Sequence, residues 1–334
     1  MRTIESIRIA FIGVSHWHVP LYFRALEKKS LNIAAVCDSD LKKVKPYAEK
    51  YKCACYTDED LLLEEIRPEF VFAFAPHDQM PDLAKKLIDK KIAFAMEKPF
   101  GLCEKDVTEI RNMAEHGGIF CAVPFVWRYS ELIQNFKERV KPDEIIHMAF
   151  KFIAGPPSRY LKTSPWMLQK AHAGGGCMTN LGVHFIDMAM FLTESTDAEV
   201  IASSYHYGSE YDIETYATAL VKLSSGATLL LETGYAFPMD SEQRDNRWNV
   251  VTRNGYYTLG ENCFEERVYG EKTIRTEMNT DSDVYYPEFV IETLRQYMEN
   301  EKPHAGLAEM CITRNILDQM NKLSNRTEKE EKEL

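Results

Sequence analysis

Three stretches of the chain carry residue types whose spacing could do chemistry. The first is the turn Gly13-Val14-Ser15-His16-Trp17-His18, which follows a short apolar run at 6–12. A glycine at a strand-to-helix turn lets the backbone approach the pyrophosphate of a dinucleotide at a helix N-terminus. Only Gly13 fits the G-x-G-x-x-G spacing; Ser15 and His18 occupy the other two places. Alone, this reads equally well as a plain turn. Context strengthens it. Ser15 could donate to a phosphate, and Asp38 ends the next apolar run, where a carboxylate holds ribose 2′-hydroxyls. Such a carboxylate repels a 2′-phosphate, which favours NAD. The nearby Lys42 and Lys43 keep NADP possible.

The second stretch is Glu97-Lys98-Pro99, after the apolar run 92–96. In a doubly wound sheet the C-terminal ends of strands line the ligand crevice, so Lys98 would point at the cofactor. The competing reading is a surface lysine before a turn proline. Pro99 restricts the backbone and is a candidate for a cis bond. The third stretch runs from Gly174-Gly175-Gly176 into an apolar segment. Asn180 and His184 lie four positions apart, with Asp187 three further on, so all three share one helix face. A polar face inside an apolar helix serves either buried hydrogen bonding or catalysis.

These stretches need elements to hold them. Strand-like runs at 6–12, 31–36, 69–75, 92–96 and 119–123 alternate with helical spacing at 18–27, 42–51, 81–90 and 107–114. That alternation predicts a parallel sheet covered on both faces. The pattern then changes. Strand-like runs at 144–152, 199–207, 215–223, 227–234 and 248–258 have turn signals at Ser225-Gly226 and Asn254-Gly255. They predict a mostly antiparallel sheet, with helices near 176–192, 285–299 and 307–323. The tail from 326 mixes both charge signs without apolar residues and reads as frayed.

The chain has 334 residues, with 45% hydrophobic and 27% charged, a globular balance with room for two domains. Its net charge of −11 would repel duplex DNA or an anionic membrane, and no basic run offsets it. No apolar run is long enough for a membrane span, and the N-terminus reads as a first strand rather than a signal peptide. Eight cysteines lack framework spacing. They read as free thiols of a reducing cytoplasm. The close pair Cys53 and Cys55 has no second Cys/His pair nearby, so no metal site is expected.

From residue 7 to about 321 the chain resembles the glucose–fructose oxidoreductase, inositol dehydrogenase and rhizopine-catabolism (Gfo/Idh/MocA) family. The resemblance rests on several segments. They are the first turn, Ala35-Val36-Cys37-Asp38, Ala75-Pro76-His77 (where the family often has Thr-Pro-Asn) and Glu97-Lys98-Pro99. Phe125-Val126-Trp127-Arg128, Trp166 and the glycine-led helix through Asn180, His184 and Asp187 complete the set. It implies an α/β chain in two parts. Residues 1–125 would form a Rossmann domain with a doubly wound parallel sheet. Residues 126–323 would form an α/β domain with a large open, mostly antiparallel sheet. A charged tail would follow at 324–334, and the C-terminal helices could pack back on the Rossmann domain. The open sheet face implies a homodimer or homotetramer. The active site is expected in the cleft between the nicotinamide and the sheet domain.

The implied activity is hydride transfer between NAD (NADP possible) and a secondary alcohol of a sugar, cyclitol or related polyol. His184, which titrates near neutrality, is expected as general base. Lys98 would hold the reacting oxygen and stabilise developing alkoxide. Asn180 stands where many members have Asp; it can orient a hydroxyl but cannot relay a proton. Asp187 would fix either the helix or the His184 tautomer. Cofactor contacts are expected from Gly13, Ser15, His16, Trp17, Asp38, Ala75, Pro76, His77, Glu97, Lys98 and Arg128. Trp127 and Trp166 could stack on a sugar face, and Arg128, Arg244 and Arg247 could take a carboxylate or phosphate. The 244–247 segment reads more readily as a polar loop in a salt-bridge network. His16-Trp17-His18 is unusual for this turn: either a plug beside the nicotinamide or a metal-binding pair lacking a third ligand. Two other readings stay open. One is NAD-assisted elimination from a glycoside, without net redox. The other is a non-catalytic sugar- or NAD-sensing protein of the same fold.

Overall fold

The computed structural model describes residues 3–238, 244–260, 262–278 and 280–333, with side chains of the last helix described through Ser324. By internal contacts the chain divides into two units. The first holds the chain up to Val126, then Lys162–Trp166 and Asp283–Cys311. The second holds Trp127–Leu161, Met167–Ser282 and the chain from Ile312. The first unit thus takes in two segments from beyond residue 125.

The first unit is built on six strands: β1 (Ile9–Ile12), β2 (Ile33–Cys37), β3 (Ala54–Tyr56), β4 (Phe70–Ala73), β5 (Ala93–Met96) and β6 (Cys121–Ala122). They lie in the order β3-β2-β1-β4-β5-β6, all parallel. Every residue of β1, β4 and β5 is buried. That explains their unbroken apolar sequence: a parallel strand is covered on both faces and has no polar side. The reversal of strand order falls between β1 and β4, so the β1 turn sits at the switch point. The edge strand β3 and the helix Glu59–Ile66 go beyond the elements that the sequence pattern predicts. The helical spacing of 18–27 is realised as two short helices, Val19–Phe23 and Ala25–Lys28. The helix Tyr286–Glu299 returns to this unit, where Tyr286 and Phe289 pack on Tyr22.

The second unit carries eight strands: β7 (Ile145–Ile153), β8 (Ala198–Tyr207), β9 (Glu214–Leu223), β10 (Thr228–Gly234), β11 (Asp245–Thr252), β12 (Gly255–Gly260), β13 (Cys263–Val268) and β14 (Ile274–Glu277). Their order is β14-β13-β12-β11-β7-β10-β9-β8. Every neighbouring pair is antiparallel except β7 and β10. The run at 248–258 is a hairpin of β11 and β12 that turns at the Asn254-Gly255 signal. Strands β13 and β14 extend the sheet past the runs that the sequence predicts. Along β10, Leu229, Leu231 and Thr233 are buried while Leu230 is exposed and Glu232 half-buried, so one face is covered and the other open. The last helix is assigned as Leu307–Glu333. The side chains of the expected charged tail lie outside the described residues from 325 onward.

Candidate functional site

Gly13 follows β1 with φ of +82°, and a Cβ there would lie 2.0 Å from the carbonyl oxygen of Phe74. Only glycine allows the β1 turn to pass this close to the end of β4. The turn is tied down by Gly13 N–H donating to the Cys37 carbonyl at 2.8 Å. The Ser15 amide donates to Asp38 Oδ2 at 2.8 Å, and Asp38 Oδ1 accepts from the Asp40 amide. Around this turn lies a cavity of about 930 Å³, walled by Gly13, Ser15, His16, Asp38, Ala75, Pro76 and Trp166 among others. The size is that of a cofactor site. A turn without a Cβ, a carboxylate after β2 and a switch-point position together suit a dinucleotide. The structure thus brings seven of the expected residues around one cavity. Trp17, His77, Glu97, Lys98 and Arg128 are not on its wall.

Glu97 and Lys98 follow β5, and both are almost fully buried. Lys98 is therefore not a surface lysine. The Lys98–Pro99 bond is cis. Tyr22 donates its hydroxyl to Glu97 Oε1 at 2.8 Å, and His18 Nδ1 lies 3.0 Å from the same oxygen. Burial pushes the Glu97 carboxyl above its usual range, opposed by the positive Lys98 and by His16. His18 also meets the Tyr286 hydroxyl at 3.4 Å. The third glycine place of the nucleotide turn is thus taken by a histidine that ties the turn to the end of β5.

His16 Nδ1 accepts from the His18 backbone N–H at 3.2 Å. Burial, with His18 next, holds its pKa well below 6.5. His16 is a neutral imidazole with its hydrogen on Nε2. These contacts replace the metal-pair reading of His16 and His18: the His16 ring bonds within the turn, and the His18 ring faces Glu97 and Tyr286. Among the described residues no group of three or more His, Cys, Asp or Glu side chains could hold a metal. Trp166 is half-buried and packs edge-on against His77 at 4.8 Å, with His16 at 6.0 Å.

In the second unit the glycine-led segment abuts β9. A Cβ on Gly176 would lie 2.0 Å from the Glu214 carbonyl oxygen. The buried Glu214 carboxylate accepts from the Gly176 amide at 2.6 Å and the Met178 amide at 3.0 Å. It caps the start of the helix where backbone donors have no internal partner. Burial raises its pKa, against which the backbone donors work. The next residues, Met178–Gly182, form a turn of π-helix before the α-helix Val183–Thr193. The single α-helix expected from 176 is corrected on this point. A π-turn widens the helix locally and recurs at functional sites.

Asn180 lies on the π-turn, buried, and its amide nitrogen donates to the hydroxyls of Tyr160 and Tyr235, each at 2.9 Å. Burial pushes the Tyr235 hydroxyl well above its usual pKa. Tyr160 also accepts from Arg159 Nη2 at 2.5 Å. Sequence reasoning misses Tyr160, Tyr235 and Glu214, because no local motif marks them. His184 is half-buried in the first turn of Val183–Thr193.

Three expected site residues are corrected. Arg128, expected as a cofactor and anion contact, has its guanidinium buried against Asp187, at 2.9 Å and 2.6 Å, and under the Phe191 ring. The same pair ties Asp187, and with it the helix Val183–Thr193, to Arg128. Trp127, expected as a sugar platform, is 2% exposed and packs edge-on to Trp248 in the core. Arg247 lies on the open face of the sheet, paired with Asp245 at 2.7 Å. Strand alternation puts it opposite the face that buries Trp248. Arg244 pairs with Asp281, as the salt-bridged reading of that loop anticipates.

Comparison with known proteins agrees with this architecture. Residues 7–125 match the model of the oxidoreductase family with an NAD-binding Rossmann fold. Residues 144–258 match the GFO/IDH/MocA C-terminal domain. The chain is 24% identical over 259 residues to D-glucoside 3-dehydrogenase of Escherichia coli (strain K12), covering 70% of this chain and 72% of that protein. It is 22% identical over 249 residues to D-apiose dehydrogenase of Rhizobium rhizogenes (strain K84), covering 72% and 69%. A crystal structure of an oxidoreductase from Agrobacterium radiobacter, in complex with NAD+, L-tartaric acid and magnesium, shares the fold. Its TM-score is 0.83 at 16% identity, covering 96% of each chain. The chain belongs to the Gfo/Idh/MocA family of NAD(P)-dependent oxidoreductases, with the NAD-binding Rossmann domain at its N-terminal end.

Proposed function

We propose that this enzyme interconverts a secondary alcohol and a ketone on a sugar, cyclitol or related polyol, with NAD as the preferred partner. The observation that carries the reading is Lys98, a lysine only 3% exposed at the end of a Rossmann strand. Burying an ammonium is costly, and a lysine kept at a strand end in spite of that cost is a functional-site candidate. The two curated relatives, both named as dehydrogenases of sugar-type substrates, support the substrate class.

Bound NAD would supply the acceptor for the hydride leaving the carbinol carbon. The residues handle the rest. Lys98 donates to the reacting oxygen and favours its alkoxide form. His184 takes the hydroxyl proton as general base. Asn180, its nitrogen engaged by two tyrosines, orients the substrate through its amide. Trp166 offers an aromatic face beside the cavity. Asp38 accepts from the ribose hydroxyls and disfavours a 2′-phosphate.

A panel of sugars, cyclitols and their acids, with NAD and NADP in turn, read at the nicotinamide absorbance, tests the proposal. Lys98→Ala and His184→Ala should each lower turnover of the substrate found by about a hundredfold or more. Unchanged turnover in both variants would refute the assigned roles.

The same reading includes a cytoplasmic homo-oligomer. The open face of the eight-stranded sheet presents Leu230 and Tyr256, exposed by 44% and 42%, beside the Lys151–Asp245–Arg247 ion pairs. Apolar side chains on an open sheet face suit a self-complementary contact. Light scattering on the eluting protein tests it: a monomer at all concentrations refutes it. All eight cysteines are free, which suits a reducing compartment.

A further inference from the structure

We infer that Lys162, on a segment far along the chain from the nucleotide turn, supplies the cationic contact for the diphosphate of the bound dinucleotide. The inference rests on the nucleotide reading of the 930 Å³ cavity.

The usual sources of positive potential are weak here. The helix after the glycine turn, Val19–Phe23, is five residues long, so few peptide dipoles sum along it. Ser15 and His18 replace two of the glycines that would expose backbone amides. His16, on the wall, is neutral. The wall itself is rich in carboxylates, including Asp38, Asp40 and Asp58, against three lysines: Lys43, Lys86 and Lys162. A diphosphate placed there needs a cation.

The three lysines are not equivalent. Lys86 is already paired, 2.5 Å from Glu59 and 3.0 Å from Asp60. Lys43 stands in the first turn of the helix Leu41–Tyr51, capped by Asp40. That places it at the Asp38 end, where the ribose would lie. Lys162 belongs to Lys162–Trp166, which enters the first unit from the middle of the chain. This segment contributes Lys162, Thr163, Pro165 and Trp166 to the cavity wall. Its Trp166 packs on His77 after β4 and near His16 in the glycine turn. The segment is therefore fixed against the turn over which the diphosphate must lie, and it brings the Lys162 side chain to the wall.

The test is equilibrium binding, read by NADH fluorescence, with ADP and adenosine as competing probes. Lys162→Ala should weaken NADH and ADP by about tenfold, as expected for loss of one charge-assisted contact. Adenosine, which lacks the diphosphate, should bind as before. The variant's NADH affinity should also depend less steeply on salt, and Lys162→Arg should restore it. Two results overturn the inference while leaving the cavity's nucleotide reading intact. One is a Lys162→Ala protein that binds NADH and ADP like the parent. The other is loss of ADP affinity in Lys43→Ala but not in Lys162→Ala. A parent protein that binds neither NADH nor ADP overturns the nucleotide reading itself.

Discussion

Arg128 and Asp187 form a two-pronged ion pair closed to solvent, with Nε to Oδ2 at 2.9 Å and Nη2 to Oδ1 at 2.6 Å. Asp187 lies three residues beyond His184 on the helix Val183–Thr193, so the pair sets the rotation of the helix that carries the proposed base. Removing one partner of a buried pair strands the other charge, at about 3–5 kcal/mol. Arg128→Met should lose that much in urea unfolding. Adding Asp187→Leu should recover a good part, because no charge is then stranded. A single variant that unfolds like the parent would contradict the burial of this pair.

Asn180 directs its amide nitrogen at two tyrosine hydroxyls, Tyr160 and Tyr235. A hydroxyl rotates, so it can donate as readily as accept. Asn180→Asp should therefore keep both contacts with their direction reversed, and unfold within about 1 kcal/mol of the parent. It should also add an ionising group to the site. Activity of the variant should fall more steeply towards acid, as the new carboxylate takes up a proton that Asn180 cannot. Asn180→Leu removes this partner from the Tyr235 hydroxyl, while Tyr160 keeps its contact with Arg159, and should cost about 1–3 kcal/mol. Superimposable pH profiles for the parent and the Asn180→Asp variant would show that this position does not face the reaction.

Much of the Rossmann unit is legible in the sequence, because β1, β4 and β5 are buried on both faces and write themselves as apolar runs. The edge strand β3 carries only half-buried or exposed residues, and β14 is exposed throughout, so neither has a pattern to read. The π-turn at Met178–Gly182 is invisible for another reason: over one turn, apolar spacing does not separate five residues from four. Trp127 and Arg128 mislead because a tryptophan or arginine has the same letter in a core as in a site. Arg247 misleads because its face depends on strand register, which long-range pairing with Lys151 sets. The return of Lys162–Trp166 to the first unit has no local signature at all.

His16 makes stability depend on pH in a definite sense. Its pKa in the folded protein lies well below the 6.5 of the free side chain, first through burial and then through His18, His77 and Lys98, against Glu97. Below 6.5 the unfolded chain takes a proton that the folded chain refuses, so the unfolded state gains. The contribution is fully present above 6.5 and is lost as pH falls towards the folded value. Urea unfolding between about pH 5 and pH 7.5 should show this slope. His16→Asn, which cannot be protonated, should flatten it. An equal slope in parent and variant would mean that His16 titrates normally in the folded protein.

Gly176 offers the sharpest test of how the polar helix is placed. A Cβ there would come within 2.0 Å of the Glu214 carbonyl oxygen and 2.9 Å of its carbon. Both neighbours are backbone, so neither can swing aside, and the segment must part from β9. That movement breaks the caps from Glu214 to the amides of Gly176 and Met178, which precede Asn180 and His184. Gly176→Ala should thus cost about 2–4 kcal/mol of stability and depress turnover more than cofactor binding, which belongs to the other unit. Gly260→Ala, at a site with no atom within 4 Å of the added carbon among the described residues, is the matched control and should leave both unchanged. If Gly176→Ala retained parental turnover, the position of the Asn180–His184 helix would not depend on its contact with β9, and the structural basis for assigning His184 its role would fall.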